Sequence, residues 1–143
     1  MSDFFHHIRQ TLAIKPDGYS AKVSENRWRS FGYALAGMLH MVRYAKNLRI
    51  QFLAMIVVLM IGVWLQLTAI EWAILTLTIG INMLAEFLNA GVESAINLAS
   101  PDYHPIAQVG KDVAAGGALL TTIMAVIVAA LLLMPPLWDK LSI

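Results

Sequence analysis

The chain has 143 residues, 59% of them hydrophobic and only 13% charged, against the roughly 25% charged residues of a soluble domain. It contains no cysteine, which excludes a disulfide framework, a thiolate metal site and a thiol nucleophile. The net charge of +1 conceals an asymmetry, because eight of the ten Lys and Arg residues precede Ile50.

In chain order, residues 1–24 read as a mobile cytoplasmic tail, with Pro16-Asp17-Gly18 as a turn signal. Phe5, Ile8 and Leu12 make at most one amphipathic turn, and the adjacent His6 and His7 point about 100° apart on a helix, which is poor geometry for one metal ion. From Arg27 to Asn47 the pattern is helical. Phe31, Leu35, Met38, Leu39 and Val42 form an apolar face joined by Trp28, while Arg29, His40, Arg43 and Lys46 supply polar and basic positions. This pattern predicts a helix lying in the membrane interface, where basic side chains meet anionic head groups. Nucleic acid is not the expected partner, since the same charges orient the first span.

No charged residue lies between Arg49 and Glu71, or between Asp112 and Asp139. Each gap exceeds the ~20 residues needed to cross ~30 Å of hydrocarbon. A third candidate, Trp72 to Asn97, is interrupted only by Glu86 and Glu93, so three spans are expected, at about 50–68, 72–97 and 113–134, giving an all-α integral membrane protein with three transmembrane helices after an amphipathic surface helix. The excess of basic residues before Ile50 places the amino-terminal arm in the cytoplasm and makes the chain a multi-pass protein of the inner (plasma) membrane. Thr68 to Trp72 forms a short external turn. A cytoplasmic loop from Leu98 to Lys111 carries Ser100-Pro101-Asp102 and Tyr103-His104-Pro105, both turn-forming, and Asp112 is placed to cap the third span. Pro135-Pro136 is expected to stop that span, leaving residues 139–143 as a short external tail.

The second span carries the chemistry. Asn82, Glu86, Asn89, Glu93 and Asn97 are spaced four, three, four and four apart, so they fall within roughly 80° of one another on a helix. With Trp72 as the outer interface residue, Glu86 lies about 21 Å across the hydrocarbon and Glu93 about 31 Å. A carboxylate submerged in a bilayer is expensive and is a functional candidate by default. Glu86 suits a general base for a hydroxyl arriving within the bilayer, and Glu93, in contact with water, suits Mg²⁺. Lys111 can neutralise phosphate charge. Together these are parts for transferring a phosphoryl group to a lipid alcohol, a reaction dominated by positioning and electrostatics. No Walker loop or GxGxxG element is present, which excludes a nucleotide site of the soluble-kinase type at the level of motif. Two other readings stay open on these residues. The two glutamates can form a proton or ion relay, although no carboxylate continues the path from Glu86 toward Trp72. Asn82, Asn89 and Asn97 can serve as interhelical hydrogen-bonding residues.

The stretch Glu86-Phe-Leu-Asn89-Ala-Gly-Val-Glu93, with Ser100-Pro-Asp-Tyr-His104-Pro and Lys111-Asp112-Val-Ala-Ala-Gly116, closely resembles the prokaryotic diacylglycerol kinase and undecaprenol kinase family. Arg29-Ser-Phe-Gly-Tyr33-Ala-Leu-Ala-Gly37 and Asn47-Leu-Arg-Ile50 look like its surface-helix and first-span motifs. The resemblance covers about Arg27 to Met134. It implies a lipid kinase domain over residues 25–138, assembled as a homotrimer, that uses MgATP to phosphorylate diacylglycerol or, alternatively, undecaprenol. By the same resemblance Glu86 matches the catalytic base and Glu93 a metal ligand that also serves the nucleotide. Tyr33, Asp102, Tyr103, His104, Lys111 and Asp112 match positions associated with ATP. Glu86, Asn89 and Ala115 match the lipid side. The chain departs from the family pattern at Ala45, where a metal-binding glutamate is common, and at Asn97, where an aspartate is common; the first departure implies a weaker second metal site.

Overall fold

The computed structural model describes residues 26–142. The chain divides into two units, Met1–His40 and Met41–Ile143. The expected mobile tail, with Phe5, Ile8, Leu12, His6 and His7, lies outside the described residues. Four helices follow one another: α1 over Arg27–Tyr44, α2 over Lys46–Leu65, α3 over Ala69–Ala99 and α4 over Pro105–Leu141. The described residues contain no strand.

α1 occupies the stretch whose apolar periodicity predicts a helix, but it ends at Tyr44 and not at Asn47. Ala45 interrupts it with an extended backbone (φ −83°, ψ 104°), and α2 restarts at Lys46. Lys46 and Asn47 therefore form the first turn of the spanning helix. No residue of α1 is buried, and Trp28, Phe31 and Leu39 all stand exposed.

In the second unit α2, α3 and α4 are each long and apolar enough to cross a membrane. At 1.5 Å per residue the 20 residues of α2 extend about 30 Å, the 31 residues of α3 about 46 Å and the 37 residues of α4 about 55 Å. α2 thus matches the hydrocarbon thickness, while α3 and α4 overshoot it. Leu53, Ile56, Val126 and Leu131 are exposed on these helices, an apolar surface that only a lipid environment tolerates over such lengths.

The turn between α2 and α3 is tighter and earlier than expected, covering residues 66–68. Gln66 adopts a left-handed backbone (φ 58°, ψ 48°). Its N–H donates to Val63 O while the Leu67 N–H donates to Gly62 O, both at 3.1 Å, the double closure of a Schellman motif. Gly62 is closely packed: a Cβ there would meet Trp72 Cη2 at 3.0 Å and Leu67 Cδ1 at 3.1 Å, so those side chains would have to give by a few tenths of an ångström. Thr68 then opens α3 through a capping box, its N–H donating to Glu71 Oε2 at 2.7 Å while its hydroxyl accepts from the Glu71 N–H at 3.4 Å. Two orphan amides are thereby satisfied three residues ahead of the expected start at Trp72.

Leu65, Leu67 and Leu75 form a small core at this end, with Trp72, Leu132, Leu133 and Leu137 packed around it. That core explains why Pro135-Pro136 does not end α4, as the sequence predicts. Each proline lacks an amide donor, yet the helix continues to Leu141. Leu137 is held against the core, and Lys140 Nζ donates to Trp64 O at 2.6 Å while lying 4.8 Å from the centroid of the Trp64 ring. The expected tail from Asp139 is the last helical turn.

α4 also begins earlier than expected. Its first residue is Pro105, and His104 Nδ1 accepts from the Ile106 N–H at 3.2 Å as the cap. Pro at the first helical position costs nothing, because its missing amide would have been an orphan. Asp112, expected to be the cap of a span beginning at residue 113, therefore sits two turns inside the helix. α3 packs chiefly against α4. Their close approach falls at Gly110, where a Cβ would come within 2.9 Å of Ile96 Cδ1. Within the chain Gly116 and Gly117 face open space, so the small residues that actually meet a neighbouring helix lie at Gly110 and at the buried Ala118.

Candidate active site

The polar stripe of α3 is divided by depth. Asn82 is 7% exposed and Glu86 9%, Asn89 is half-buried, and Glu93 and Asn97 are exposed. The change from buried to exposed occurs between Glu86 and Glu93. Seven residues separate them, about 10.5 Å along the axis.

Glu86 is engaged from α2. Gln51 Nε2 donates to Glu86 Oε1 at 2.6 Å and lies 3.5 Å from Thr122 Oγ1, and Gln51 Oε1 accepts from Asn82 Nδ2 at 3.1 Å. On the other flank the hydroxyls of Thr121 and Thr122 reach Asn82 Oδ1 at 3.2 and 3.0 Å. Asn82 accordingly bonds to both neighbouring helices, the interhelical role the sequence allowed for it. Gln51, Thr121 and Thr122 were not singled out by sequence reasoning. The signal lay in the amide of Gln51, alone among the apolar residues of 50–65, and in paired threonines within an otherwise apolar span. An apolar pocket of about 140 Å³ lies beside this network, between the three spans, with Gln51, Asn82 and Thr122 along with Val58, Leu75 and Ala129 in its wall.

At the other end of the site is an open polar cleft of about 580 Å³, formed by Asn97, the turn from Ser100 to His104, and Ala107, Gln108, Lys111 and Asp112 of α4. Five residues that the sequence associates with nucleotide, Asp102, Tyr103, His104, Lys111 and Asp112, thus share one cavity. The turn that shapes it is braced locally, with Ser100 Oγ donating to Asp102 O at 3.0 Å. Lys111 Nζ donates to Asn97 Oδ1 at 2.5 Å across the α3–α4 interface. This bond carries out the interhelical role the sequence allowed for Asn97, and it holds the ammonium in the cleft wall. Glu93 stands one helical turn from Asn97 on the same face, outside the cleft wall. Ala115 is exposed on α4 one turn beyond Lys111. Tyr33 is 66% exposed and belongs to α1 in the first unit.

Among the described residues no three His, Asp or Glu side chains gather into a protein-only metal cage. An exposed Glu93 next to a polar cleft instead suits an ion that arrives with phosphates and takes one or two carboxylates from the protein, as Mg²⁺ does.

A family model for prokaryotic diacylglycerol kinase matches residues 32–133. The chain is similar to an undecaprenol kinase of Bacillus subtilis, 35% identical over 89 residues that cover 62% of this chain and 72% of the relative. It is also similar to a diacylglycerol kinase of Synechocystis, 38% identical over 133 residues that cover 87% of this chain and 75% of the relative. A buried carboxylate, a polar cleft and three apolar helices in one unit accord with those matches, and the chain belongs to the prokaryotic diacylglycerol kinase family as a membrane lipid kinase.

Proposed function

We propose that this lipid kinase transfers the γ-phosphoryl group of ATP to the hydroxyl of diacylglycerol, giving phosphatidic acid, with the nucleotide approaching from the cytoplasm. The observation that carries this reading is the pairing, along α3, of a 9%-exposed Glu86 with an open polar cleft walled by Lys111. A hydroxyl at the membrane interface reaches the first, and a polyphosphate fits the second.

In this scheme the lipid hydroxyl oxygen attacks the γ-phosphorus, Glu86 takes the hydroxyl proton, and the bond from the γ-phosphorus to the bridging oxygen breaks to release ADP. Asn89, half-buried between the two glutamates, and Ala115 lie on the lipid side. Lys111, Asp102, Tyr103, His104 and Asp112 hold the nucleotide, and the family resemblance also associates Tyr33 with ATP. Glu93 would hold Mg²⁺, whose charge offsets that of the β- and γ-phosphates when bound. Ala45 contributes no carboxylate, so either Glu93 alone serves one ion or Asp102, in the cleft wall, supplies the second carboxylate. A homotrimer with a cytoplasmic amino terminus is the assembly that the family resemblance supports.

Diacylglycerol is favoured by the long alignment with the Synechocystis diacylglycerol kinase. Undecaprenol is the second reading, supported by the likeness to the Bacillus subtilis undecaprenol kinase. Purified protein in vesicles containing each alcohol, supplied with magnesium and γ-labelled ATP, distinguishes them by the labelled lipid formed. Labelled phosphatidic acid is the expected product, and Glu86→Gln is expected to lower its formation by at least about 100-fold with folding intact. Transfer to undecaprenol alone overturns the choice of substrate; transfer to neither lipid by folded protein overturns the reading.

A further inference from the structure

We infer that Gln51 is a positioning residue for the transfer: it clamps Oε1 of Glu86 and leaves Oε2 as the oxygen that receives the proton of the lipid alcohol. This inference rests on the reading of Glu86 as the base.

The hydrogen bonds around Gln51 run in one direction. Thr121 and Thr122 each have one hydroxyl proton, and two acceptors lie in reach of both, Ala118 O at 2.9 and 3.0 Å and Asn82 Oδ1 at 3.2 and 3.0 Å. One proton for each acceptor satisfies the set. With its oxygen so engaged, Asn82 presents its NH₂ to Gln51 Oε1, and Gln51 must present its own NH₂ to Glu86. Reversing the Gln51 amide would set its oxygen against the Glu86 carboxylate and its NH₂ against that of Asn82, so neither bond would survive. The pocket alongside is largely apolar, and the Thr78 hydroxyl in its wall donates to Ile74 O at 2.8 Å, so the groups depend on one another.

Glu86 makes its hydrogen bond through Oε1 alone among the described residues, and the protein contains no buried polar side-chain atom lacking a partner among the described residues. Oε2 is therefore accessible and uncommitted. The carboxylate is thus held by one oxygen and offers the other. α2 fixes its rotation, a function that the seven-residue spacing of Glu86 and Glu93 on α3 cannot perform. In the reaction the alcohol proton passes to Oε2 as the oxygen–phosphorus bond forms and ADP departs.

The test is steady-state lipid phosphorylation in vesicles by Gln51→Met, which keeps the side-chain length and removes the donor. The expected result is a kcat about 10- to 100-fold lower with KM for ATP within about twofold of the parent, because the cleft is untouched. In a Glu86→Gln background, Gln51→Met should change the residual rate by less than about twofold. An unchanged kcat in Gln51→Met while Glu86→Gln is inactive overturns the positioning role and leaves the base assignment standing. A loss in the Glu86→Gln background as large as in the parent also overturns it. Full turnover by Glu86→Gln alone overturns the base assignment instead. Should Gln51→Met fail to fold, Asn82→Ala carries the same test by releasing the Gln51 amide: a lower kcat at constant KM supports the clamp, and an unchanged kcat refutes it.

Discussion

Lys111, proposed to hold the nucleotide, illustrates how a side chain is prepared by its support. A free lysine loses rotamer entropy when it binds a phosphate, but its ammonium is already drawn across to α3 by the 2.5 Å bond to Asn97. Two donors remain arranged around that axis, and the cleft lies in front of them. Lys111→Met should raise KM for ATP by about tenfold, equivalent to ~1.4 kcal/mol for a lost charge-assisted hydrogen bond, while kcat changes far less; initial rates at varied ATP measure both. The same residue shows what the sequence reveals and what it hides. The acidic stripe and the lysine are legible because their spacing is local to one helix or one loop. The partnership of Lys111 with Asn97, fourteen residues away, requires knowing where α4 starts, and the bond from Gln51 to Glu86 spans thirty-five residues.

At the scale of the element, α4 explains why that start was misplaced. Asp112 is a good cap residue by type, and the apolar run begins just after it, so hydropathy puts the helix start at residue 113. Hydropathy reports where lipid begins, whereas the hydrogen bonds report where the helix begins. His104 and Pro105 open it more than two turns earlier, in water, where Gln108, Lys111 and Asp112 can stay polar. His104→Ala should remove the cap at a cost of roughly 0.5–1 kcal/mol. Faster amide hydrogen exchange at Ile106, with exchange deeper in the span unchanged, is the expected readout. At the opposite end of α4 the two prolines argue for a stop, and propensity loses to tertiary contact: the packing of Leu137 and the seat of Lys140 on Trp64 lie beyond any local pattern. The existence and type of all four helices, by contrast, were legible from periodicity and from long apolar runs with few charges.

For the whole molecule, sidedness decides whether the cleft meets cytoplasmic nucleotide. From the proposed cytoplasmic amino terminus, three crossings would bring the turn between α3 and α4 to the cytoplasm and the end of α4 to the far side. The absence of cysteine makes this directly measurable. Single Ala99→Cys and Ser142→Cys variants, both at exposed positions, should label with a membrane-impermeant thiol reagent from opposite faces, Ala99→Cys from the inner face and Ser142→Cys from the outer. Labelling of Ala99→Cys from outside would turn the cleft away from its nucleotide.

The overshoot of α3 and α4 beyond the thirty-ångström hydrocarbon layer means that the waterline crosses continuous helix and no loop. A cell that lengthens or shortens its fatty acyl chains therefore moves that line along a fixed ruler on which Glu86 and Glu93 are two marks. A thicker sheet covers the mark at Glu93 and a thinner one brings water toward that at Glu86, to the extent that helix tilt does not take up the difference.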